Sequence, residues 1–371
     1  MVTIANLTRP SAPEHPLNPL DLEFGRMFTP NFFVTEYRAG GWRNPRIQKI
    51  EPFALHPASL VFHYSQTVFE GMKAFRQDNG RVVLFRPELN AKRFQASADR
   101  LAIARVDEDF FIQAIRALVE NERHFLPGAP GCLYVRPTVM GVDATLGVKA
   151  ASDYIFFILT LPSGGYFKGT GAGPGAIDVL VTKTVVRAAP GGMGGVKAGG
   201  NYAGTLQITE DAKSAGCSQV LFLDAHEHRY VEEMGGMNIM FVQGKTLRTP
   251  PLTDTILNGV TRASLLVLAK DHGLSVSEDP IAIDEVVAGV KDGSITETFA
   301  CGTAAVVIGI KSLRFEDGSS IRLSPCPGPV TTKLYEALTG VQYGRVPDRH
   351  GWIQEVCPAE TAAAGSCGVR L

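Results

Sequence analysis

The chain has 371 residues, of which 45% are hydrophobic and 20% are charged, the composition of an ordinary soluble globular protein. Its 36 basic and 37 acidic side chains give a formal net charge of −1, which argues against a partner that is a nucleic acid or an anionic membrane. A chain of this length exceeds one ordinary hydrophobic core, so two domains are expected.

The N-terminus and the cysteines predict a cytoplasmic protein. The segment "MVTIANLTRPSAPEHPLNPLD" lacks a basic start followed by an apolar run, so we expect no secretory signal. The most apolar run, "YIFFILTLP" at 154–162, is too short for a membrane span and suits a buried strand. The six cysteines form no C-x-x-C pair, which predicts neither a zinc site nor a disulfide framework. No metal is therefore predicted.

The first half of the chain alternates strand and helix patterns. Residues 1–50 are proline-rich and predict irregular structure with one extended stretch, "FFVTEYRAGGWR". The run "RVVLFR" predicts a strand, and Pro87 opens a helix with an apolar stripe. A second amphipathic helix, "DEDFFIQAIRALVENERHF", precedes two strands, "CLYVRPTVMGV" and "DYIFFILTLP". These elements predict a smaller N-terminal α/β domain over residues 1–163.

A glycine-rich run, "GGYFKGTGAGPGA" at 164–176, predicts an interdomain loop. Beyond it, "IDVLVTKTVVRAAP" is a strand, and "SQVLFLD" and "RYVEEMGGMNIMFVQGKTL" indicate strands of a meander and not βαβ repeats. The run "VTRASLLVLAKDHG" is a helix ending at Gly273. We expect a larger C-terminal domain over 177–371, an α/β or α+β fold overall, and a small-molecule site in the cleft between the domains.

One lysine has an unusual setting. In "GGVKAGGNYAGTL", Lys197 lies among six glycines in the ten residues 191–200, and a helix-like segment follows. Glycine permits close backbone approach and positive φ. On spacing alone, a flexible surface loop and a loop shaped around a bulky ligand are equally good interpretations.

Two segments are candidate anion sites. In "LNGVTRASLL" a helix starts near Val260 and Thr261, where amides without intrahelical partners can bind a phosphate, although this segment alone favours an ordinary helix start capped by Asn258. In "CGTAAVVIGI", Thr303 on a tight turn could bind an anion or only close the turn. Arg93 could clamp a phosphate, although most of the charge on its helix is expected to be solvated.

A pair of acids follows in "YVEEMGGMNIMFV". Strand alternation sends Glu232 and Glu233 to opposite faces, so we expect one to be solvated and the other to face the interior with a cationic partner. A lysine among glycines, an anion-binding helix start and an inward carboxylate are together what pyridoxal phosphate requires: a Schiff base, a phosphate cup and a ring-nitrogen partner.

Motifs along nearly the whole chain carry a family resemblance: "HYSQTVFEGMKAFR", "PELNAKRF", "LYVRPTVMGV", "GGYFKG", "VKAGGNYAGTLQ", "YVEEMGGMN", "PPLTDTILNGVTRASLLVLA", "FACGTAAVV" and "QYGRVPDRHGW". In this order the chain resembles a class IV (fold-type IV) pyridoxal-phosphate aminotransferase, specifically a branched-chain amino acid aminotransferase. Two departures stand out. Relatives with a redox-active C-x-x-C after "GTA" have cysteines where this chain has Ala305 and Ile308, and some have threonine at Gly236.

The resemblance implies a role for individual residues. Lys197 would hold the cofactor, Tyr202 would bond the ring oxygen, and Glu233 the ring nitrogen. The implied phosphate ligands are Arg93, Val260, Thr261 and Thr303. The implied substrate residues are Tyr64, Phe69, Tyr134 and Tyr166 as pocket walls, Thr303 and Ala304 as amide donors to the α-carboxylate, and Arg136 as the partner of the side-chain carboxylate of glutamate.

The implied activity is reversible transfer of the amino group of L-leucine, L-isoleucine or L-valine to 2-oxoglutarate by a homodimer in which the partner completes each pocket. D-amino acid aminotransferase and aminodeoxychorismate lyase share this fold and stay as alternatives. A cofactor-free Schiff-base aldolase would need a series of strand–helix units, which the chain does not show. A non-catalytic cofactor-binding protein would not need the tyrosine and arginine pocket residues.

Overall fold

A computed structural model describes residues 3–164 and 173–359, which divide into two compact units. The described residues of the first unit lie within Met1–Tyr166, Lys197–Gly199 and Gly340–Leu371, and those of the second lie within Phe167–Val196 and Gly200–Thr339. Each unit contains its own nine-stranded sheet. The fold is thus mixed α/β, as predicted.

The elements follow one another along the chain as two series. The first series is β1 (Ala5–Asn6), β2 (Asn31–Arg38), β3 (Gly41–Lys49), α1 (Leu60–Tyr64), β4 (Thr67–Phe69), β5 (Met72–Arg76), β6 (Val82–Phe85), α2 (Pro87–Arg100), α3 (Glu108–Asn121), β7 (Cys132–Gly141) and β8 (Tyr154–Ser163). The second series is β9 (Ala176–Thr182), α4 (Gly200–Ala203), α5 (Leu206–Ser214), β10 (Gln219–Leu223), β11 (Val231–Met234), β12 (Asn238–Gln243), β13 (Thr246–Thr249), α6 (Val260–Asp271), β14 (Ser275–Glu278), α7 (Ile283–Asp292), β15 (Ile295–Gly302), β16 (Val306–Phe315), β17 (Ser320–Arg322), α8 (Pro329–Gln342) and β18 (Ile353–Cys357).

The boundaries of the two compact units differ from the predicted domain boundaries at two places. The C-terminal segment groups with the first unit because β18 pairs with β6 in an antiparallel ladder. Lys197–Gly199 also groups with the first unit, although the chain on both sides of it belongs to the second. The predicted glycine-rich loop lies largely outside the described residues, since 165–172 are among those not described.

The first sheet separates a hydrophobic face from a face that carries polar side chains. Its strand order is β1-β3-β2-β8-β7-β5-β6-β18, with β4 beside β7. Along β7, Leu133, Val135 and Val139 join the core that α2 and α3 cover, so strand alternation directs Tyr134 and Arg136 to the opposite face. The hydrophobic core under the two helices therefore fixes which β7 side chains are available for a site.

The N-terminal region is more regular than predicted. The extended stretch is confirmed, but it is a hairpin in which β2 and β3 pair antiparallel. The tight turn between the two strands uses Ala39 and Gly40, both with positive φ. The sequence pattern does not predict β4 and β5, because both strands are short and Gly71 lies between them. Such brief strands carry too few alternating residues to give a periodic signal.

The second sheet corrects the expected meander. Its strand order is β11-β10-β9-β16-β15-β12-β13-β14, with β17 beside β16, so consecutive β11 and β12 are not neighbours in it. The antiparallel pairs β10–β11 and β12–β13 agree with a meander. However, β9 pairs parallel with β10 across α4 and α5, and β13 pairs parallel with β14 across α6. Parallel strands need a crossover connection, and these helices supply it.

Strand β9 of the second sheet is apolar on both faces, which explains its continuous hydrophobic sequence. On β9, Val179 and Val181 pack in the core shared with α7, whereas Leu180 packs with Val220 and Phe222 under α5. The helix predicted to end at Gly273 is confirmed, since α6 ends at Asp271 and Gly273 has φ +78°.

Among residues 3–164 and 173–359, the structure contains no helix long and apolar enough to cross a bilayer. The same residues contain no group of histidine, cysteine and acidic side chains arranged to hold a metal ion.

The C-cap residue of α3 is Glu122, which carries a buried carboxylate. Glu122 is fully buried, and its Oε1 accepts hydrogen bonds from Asn31 (2.8 Å) and Asn121 (2.7 Å). Its Oε2 is buried and has no hydrogen-bond partner in the part of the chain that the structure describes. Burial raises the pKa of Glu122 above its ordinary value, and hydrogen bonding by Asn31, Asn121 and Thr29 offsets this only in part.

We expect Glu122→Gln to remove a pH-dependent loss of stability. Because the folded-state pKa is raised, the contribution of Glu122 to stability is complete below the unfolded pKa of about 4.3 and is lost as the pH rises through the folded pKa. Urea unfolding at pH 5 and pH 7.5 should therefore show the variant gaining stability relative to wild type at the higher pH. Glu51→Gln, at an exposed glutamate, is the control. A pH-independent difference would contradict the role of the charge.

Candidate active site

The first unit holds the lysine segment against a short strand. Ala198 forms an antiparallel bridge with Val68. On either side of it, the Phe69 amide donates to the Lys197 carbonyl and the Gly199 amide donates to the carbonyl of Thr67, both at 3.1 Å. A Cβ on Gly199 would lie 2.8 Å from Cγ2 of Thr67. This glycine is therefore required by close approach to β4, and the lysine is not in a free surface loop.

A serine on α2 binds the other side of the lysine backbone. The Lys197 amide donates to Ser97 Oγ at 3.0 Å, and Ser97 Oγ donates to the Arg93 carbonyl one helical turn earlier at 2.8 Å. The Lys197 Nζ lies 4.8 Å from the centroid of the Phe69 ring. The backbone of Lys197 is thus hydrogen-bonded to residues of the first unit, and its amine lies beside an aromatic ring of the same unit.

Arg93 is less exposed than the other cations of α2. Lys92 and Arg100 are exposed, whereas Arg93 forms a bidentate ion pair with fully buried Glu70, with Nε–Oε1 at 2.6 Å and Nη2–Oε2 at 2.9 Å. Asn90 donates to the same carboxylate at 2.7 Å. This arrangement sets the plane of the guanidinium group.

The charge of Glu70 is stabilised by its surroundings. Burial alone would raise the pKa of its carboxyl group, but the contacts with Arg93, the charge of Lys197 and the Asn90 hydrogen bond together lower the pKa below its ordinary value. Glu70 is therefore an anion next to the segment that carries the lysine.

Aromatic rings and a guanidinium group line the space beside the lysine. The Arg136 Cζ lies 4.7 Å from the Phe69 ring centroid and 5.3 Å from that of Tyr134, and Arg136 Nη2 donates to Tyr134 Oη at 3.1 Å. Gly71 makes room for this ring, since a Cβ there would lie 2.0 Å from Tyr134 Oη. The ring of Phe24 meets Tyr134 edge-on at 4.9 Å. The structure therefore brings Phe69, Tyr134 and Arg136 together near Lys197.

Two predicted pocket residues are not part of this group. Tyr64 is 41% exposed and its hydroxyl donates to the Leu146 carbonyl. Tyr166 lies outside the residues that the structure describes.

In the second unit, both acids of the "VEEM" strand are buried, which corrects the expectation that one would be solvated. Glu233 has the cationic partner that burial demands: its Oε1 lies 2.5 Å from Arg187 Nη2. Asn238 donates to its Oε2 at 3.0 Å. Glu232 is 7% exposed and accepts a hydrogen bond from Thr255 Oγ1 at 2.5 Å. Burial raises the pKa of Glu232, with the hydrogen bond and Arg187 acting against that rise.

The start of α6 lies beside this carboxylate. Its N-cap residue is Gly259, which has no side chain with which to cap the first turn. A Cβ there would lie 2.1 Å from Asn238 Oδ1, and Asn238 also donates to the Leu257 carbonyl at 3.0 Å. Val260 and Thr261 begin the helix and are buried. The N-cap position is thus occupied by Gly259 and not by Asn258, and the N-cap residue offers no side-chain hydrogen bond to the amides of the first turn.

The hairpin between β15 and β16 carries Thr303 and Ala304 at its turn, closed by the pair Gly302 and Val306. It lies close to the acid strand, because Cys301 pairs with Asn238 and a Cβ on Gly302 would lie 3.4 Å from the Gly236 carbonyl. The second unit therefore brings together the regions of Glu233, the start of α6 and the Thr303 turn. Tyr202, half-buried on α4, belongs to the same unit.

Sequence reasoning missed the residues that hold the predicted ones in place. Glu70 lies inside a quoted motif and Ser97 is an ordinary helix serine, so neither was distinguished from its neighbours. Arg187 falls in a segment predicted as strand, whereas β9 ends at Thr182. A lone arginine in the otherwise apolar run "VVRAAP" was the available signal for a buried ion pair.

The sequence of the site region matches the family model of the amino-transferases of class IV over residues 67–313. That match spans more than half of the chain. The chain belongs to the class IV aminotransferases.

Several curated relatives carry the same name. The branched-chain-amino-acid aminotransferase of Mycolicibacterium smegmatis is 43% identical over 337 residues, covering 89% of this chain and 91% of the relative. Branched-chain-amino-acid aminotransferase 2 of Bacillus subtilis is 42% identical over 341 residues, covering 91% and 93%. Among solved structures, the branched-chain amino acid aminotransferase from Escherichia coli is 27% identical, with a TM-score of 0.69 over 87% of this chain and 98% of that one.

Class IV aminotransferases use pyridoxal 5′-phosphate, so this chain is a pyridoxal-phosphate-dependent transaminase. The described residues fit the cofactor on three observations: a lysine amine near an aromatic ring, a buried acid paired with a cation, and a helix start whose N-cap residue is Gly259. Such groups provide a covalent anchor, a partner for a protonated ring nitrogen and a phosphate site.

We expect Arg187→Met to destabilise the cofactor-free class IV enzyme by about 3–5 kcal/mol, because Glu233 would remain buried without its cation. Urea unfolding measures the loss, and the absence of cofactor removes ligand linkage from the comparison. The matched control is Arg105→Met, which breaks an ion pair with Asp99. In that pair the Arg105 side chain is 64% exposed and the Asp99 side chain is 43% exposed. That loss should stay below about 1 kcal/mol. Equal losses would mean that Arg187 and Glu233 do not depend on one another.

Proposed function

We propose that this transaminase transfers the amino group of L-leucine, L-isoleucine or L-valine to 2-oxoglutarate, giving the branched 2-oxo acid and L-glutamate. Relatives above 40% identity over about nine-tenths of the chain bear the name of this activity. The observation that carries the proposal is the grouping of Phe69, Tyr134 and Arg136 near Lys197. It offers an apolar wall and one cation, which are the two environments that this pair of substrates needs.

Several side chains would hold the cofactor. Lys197 would anchor it covalently, and Arg93, oriented by Glu70, would bind its phosphate. Glu233 would bind the ring nitrogen and Tyr202 the ring oxygen. The remaining phosphate ligands would be the Val260 and Thr261 amides at the start of α6 and Thr303 on its hairpin turn.

The residues act on protons around the substrate. When bound, pyridoxal phosphate supplies an electron-withdrawing ring that makes the substrate Cα–H acidic. The Lys197 amine would take the proton from the substrate Cα as a general base and would later donate it as a general acid. Glu233 favours a protonated ring nitrogen, and Arg187 stabilises Glu233 as an anion.

The pocket must accept both an aliphatic side chain and the side-chain carboxylate of glutamate. Burying an aliphatic group against Phe69 and Tyr134 stabilises it by about 0.8 kcal/mol per methylene. An unpaired carboxylate would be costly there. Arg136 provides the ionic partner and is held by the Tyr134 hydroxyl. The Thr303 and Ala304 amides would bind the α-carboxylate that both substrates share.

We also propose a homodimer in the cytoplasm. Large apolar side chains around α1 and residues 143–148 are exposed: Phe62 60%, Leu146 63% and Val148 84%. Exposed apolar groups of this kind are typical of a surface that a second copy covers. Tyr64, hydrogen-bonded to this surface, would then complete the pocket of the partner, and Tyr166 would add a further wall. Free cysteines at the described positions fit a reducing compartment.

The function is tested by comparing amino donors with 2-oxoglutarate as acceptor. We expect turnover with L-leucine, L-isoleucine and L-valine, because the α-carboxylate and side-chain sites orient the Cα–H of an L-amino acid toward Lys197. D-alanine would direct that bond away. Glutamate formation at steady state is the measurement, and Lys197→Ala is the inactive control. Preference for D-alanine would instead identify a D-amino acid aminotransferase.

We expect Arg136→Met to impair the glutamate half-reaction far more than the leucine half-reaction. The lost charged hydrogen bond is worth about 1.5–3 kcal/mol, whereas leucine makes no ionic contact with this side chain. Single-turnover rates for each half-reaction measure the difference, and Arg136→Lys, which keeps the charge, should show a smaller effect. Equal losses with both substrates would mean that Arg136 is structural or serves the common α-carboxylate.

A further inference from the structure

The backbone of Lys197 is held by two different elements of the first unit. Its carbonyl accepts from the Phe69 amide of β4. In a regular antiparallel ladder the Lys197 amide would return a bond to the same residue, but here it donates to Ser97 Oγ on α2, 100 residues away in the chain. The lysine is thus tied to a helix as well as to a strand.

The two hydrogen bonds of Ser97 have defined directions. The Arg93 carbonyl is an acceptor only, so the Ser97 hydroxyl must donate its proton there, at 2.8 Å. The Lys197 amide is a donor only, so the same oxygen accepts from it, at 3.0 Å. Ser97 is fully buried, and water cannot readily replace either bond. The hydroxyl therefore links the Arg93 peptide directly to the Lys197 peptide.

This link matters because the guanidinium group of Arg93 is also held in place. The ion pair with Glu70 orients its guanidinium group, and the Ser97 bond joins its peptide unit to that of the lysine. A cofactor bound through both residues would have its covalent anchor and one phosphate ligand held at a constant separation. Preorganisation of this kind lowers the cost of reaching the reactive geometry.

We propose that Ser97 is a positioning residue for Lys197: its hydroxyl holds the lysine peptide against the turn of α2 that carries Arg93. The role rests on the proposed function, in which Lys197 anchors the cofactor. Ser97 itself touches neither substrate nor cofactor and acts through the lysine backbone.

The test uses Ser97→Ala, which removes only the oxygen atom. In cofactor-free protein, hydrogen–deuterium exchange should show faster uptake in the shortest peptide that contains Lys197. The rate of cofactor binding, measured from the visible absorption of the bound form, should fall by about tenfold. This is the effect of losing one hydrogen bond at the upper end of the usual net strength. The kcat should fall while the KM for L-leucine changes little, because the substrate contacts remain.

Two further variants separate positioning from general stability. Ser97→Thr keeps the hydroxyl and should restore the protection of Lys197. Thr339→Val is the matched control, since Thr339 is a mostly buried helix residue whose hydroxyl also bonds the carbonyl one turn earlier, that of Tyr335 at 2.8 Å. It should lower thermal stability without changing exchange at Lys197 or cofactor capture.

Ser97→Ala that captures cofactor at the wild-type rate, with normal exchange at Lys197 and only a lower Tm, would overturn the proposal. Borohydride reduction and peptide mapping of the wild-type enzyme test separately whether Lys197 is the anchor. Labelling of a different lysine would refute the proposed site, whereas the exchange measurement in cofactor-free protein would still decide whether Ser97 holds Lys197.

Discussion

Two buried carboxylates, each paired with an arginine, organise this protein, because a charge that folding removes from water is costly unless its surroundings compensate for the lost hydration. Glu70 is fully buried and forms a bidentate pair with Arg93 of α2. Glu233 is paired with Arg187, whose guanidinium group also donates to the Gly194 carbonyl at 2.9 Å. Leaving either charge unpaired would cost several kcal/mol. The first pair therefore fixes α2 relative to the connection between β4 and β5, and the second fixes the loop of Arg187 relative to β11.

Close approach between backbone and side chains is the second constraint, and glycine satisfies it at three positions. A Cβ on Gly71 would collide with the Tyr134 hydroxyl, one on Gly199 with β4, and one on Gly259 with the Asn238 amide. The contacts permitted in this way are the aromatic wall, the bridge that holds the lysine segment, and the support of Glu233. Glycine here permits contact at these positions and does not confer flexibility.

The phenyl ring of Phe69 contacts two basic side chains. Lys197 Nζ and Arg136 Cζ lie 4.8 Å and 4.7 Å from its centroid. The negative face of an aromatic ring attracts cations, so this ring can stabilise both side chains when they are charged. The same ring offers apolar area to an aliphatic substrate. One side chain can thus stabilise the charged groups and bury the uncharged part of a branched-chain substrate.

The sequence by itself determined the features that depend on local pattern: the helices α2, α3 and α6, the strands β7 and β8, and the family, from motifs whose order is specific. The glycine-rich setting of Lys197 also marked it as exceptional, although spacing alone left its purpose open. Only the tertiary structure decided which groups meet. The parallel pairing of β9 with β10 and the bond from Lys197 to Ser97 join residues far apart in the chain. Periodicity records which face of an element is apolar, not which element covers it, so such long-range partners become fixed only when the cores pack and the buried charges find one another.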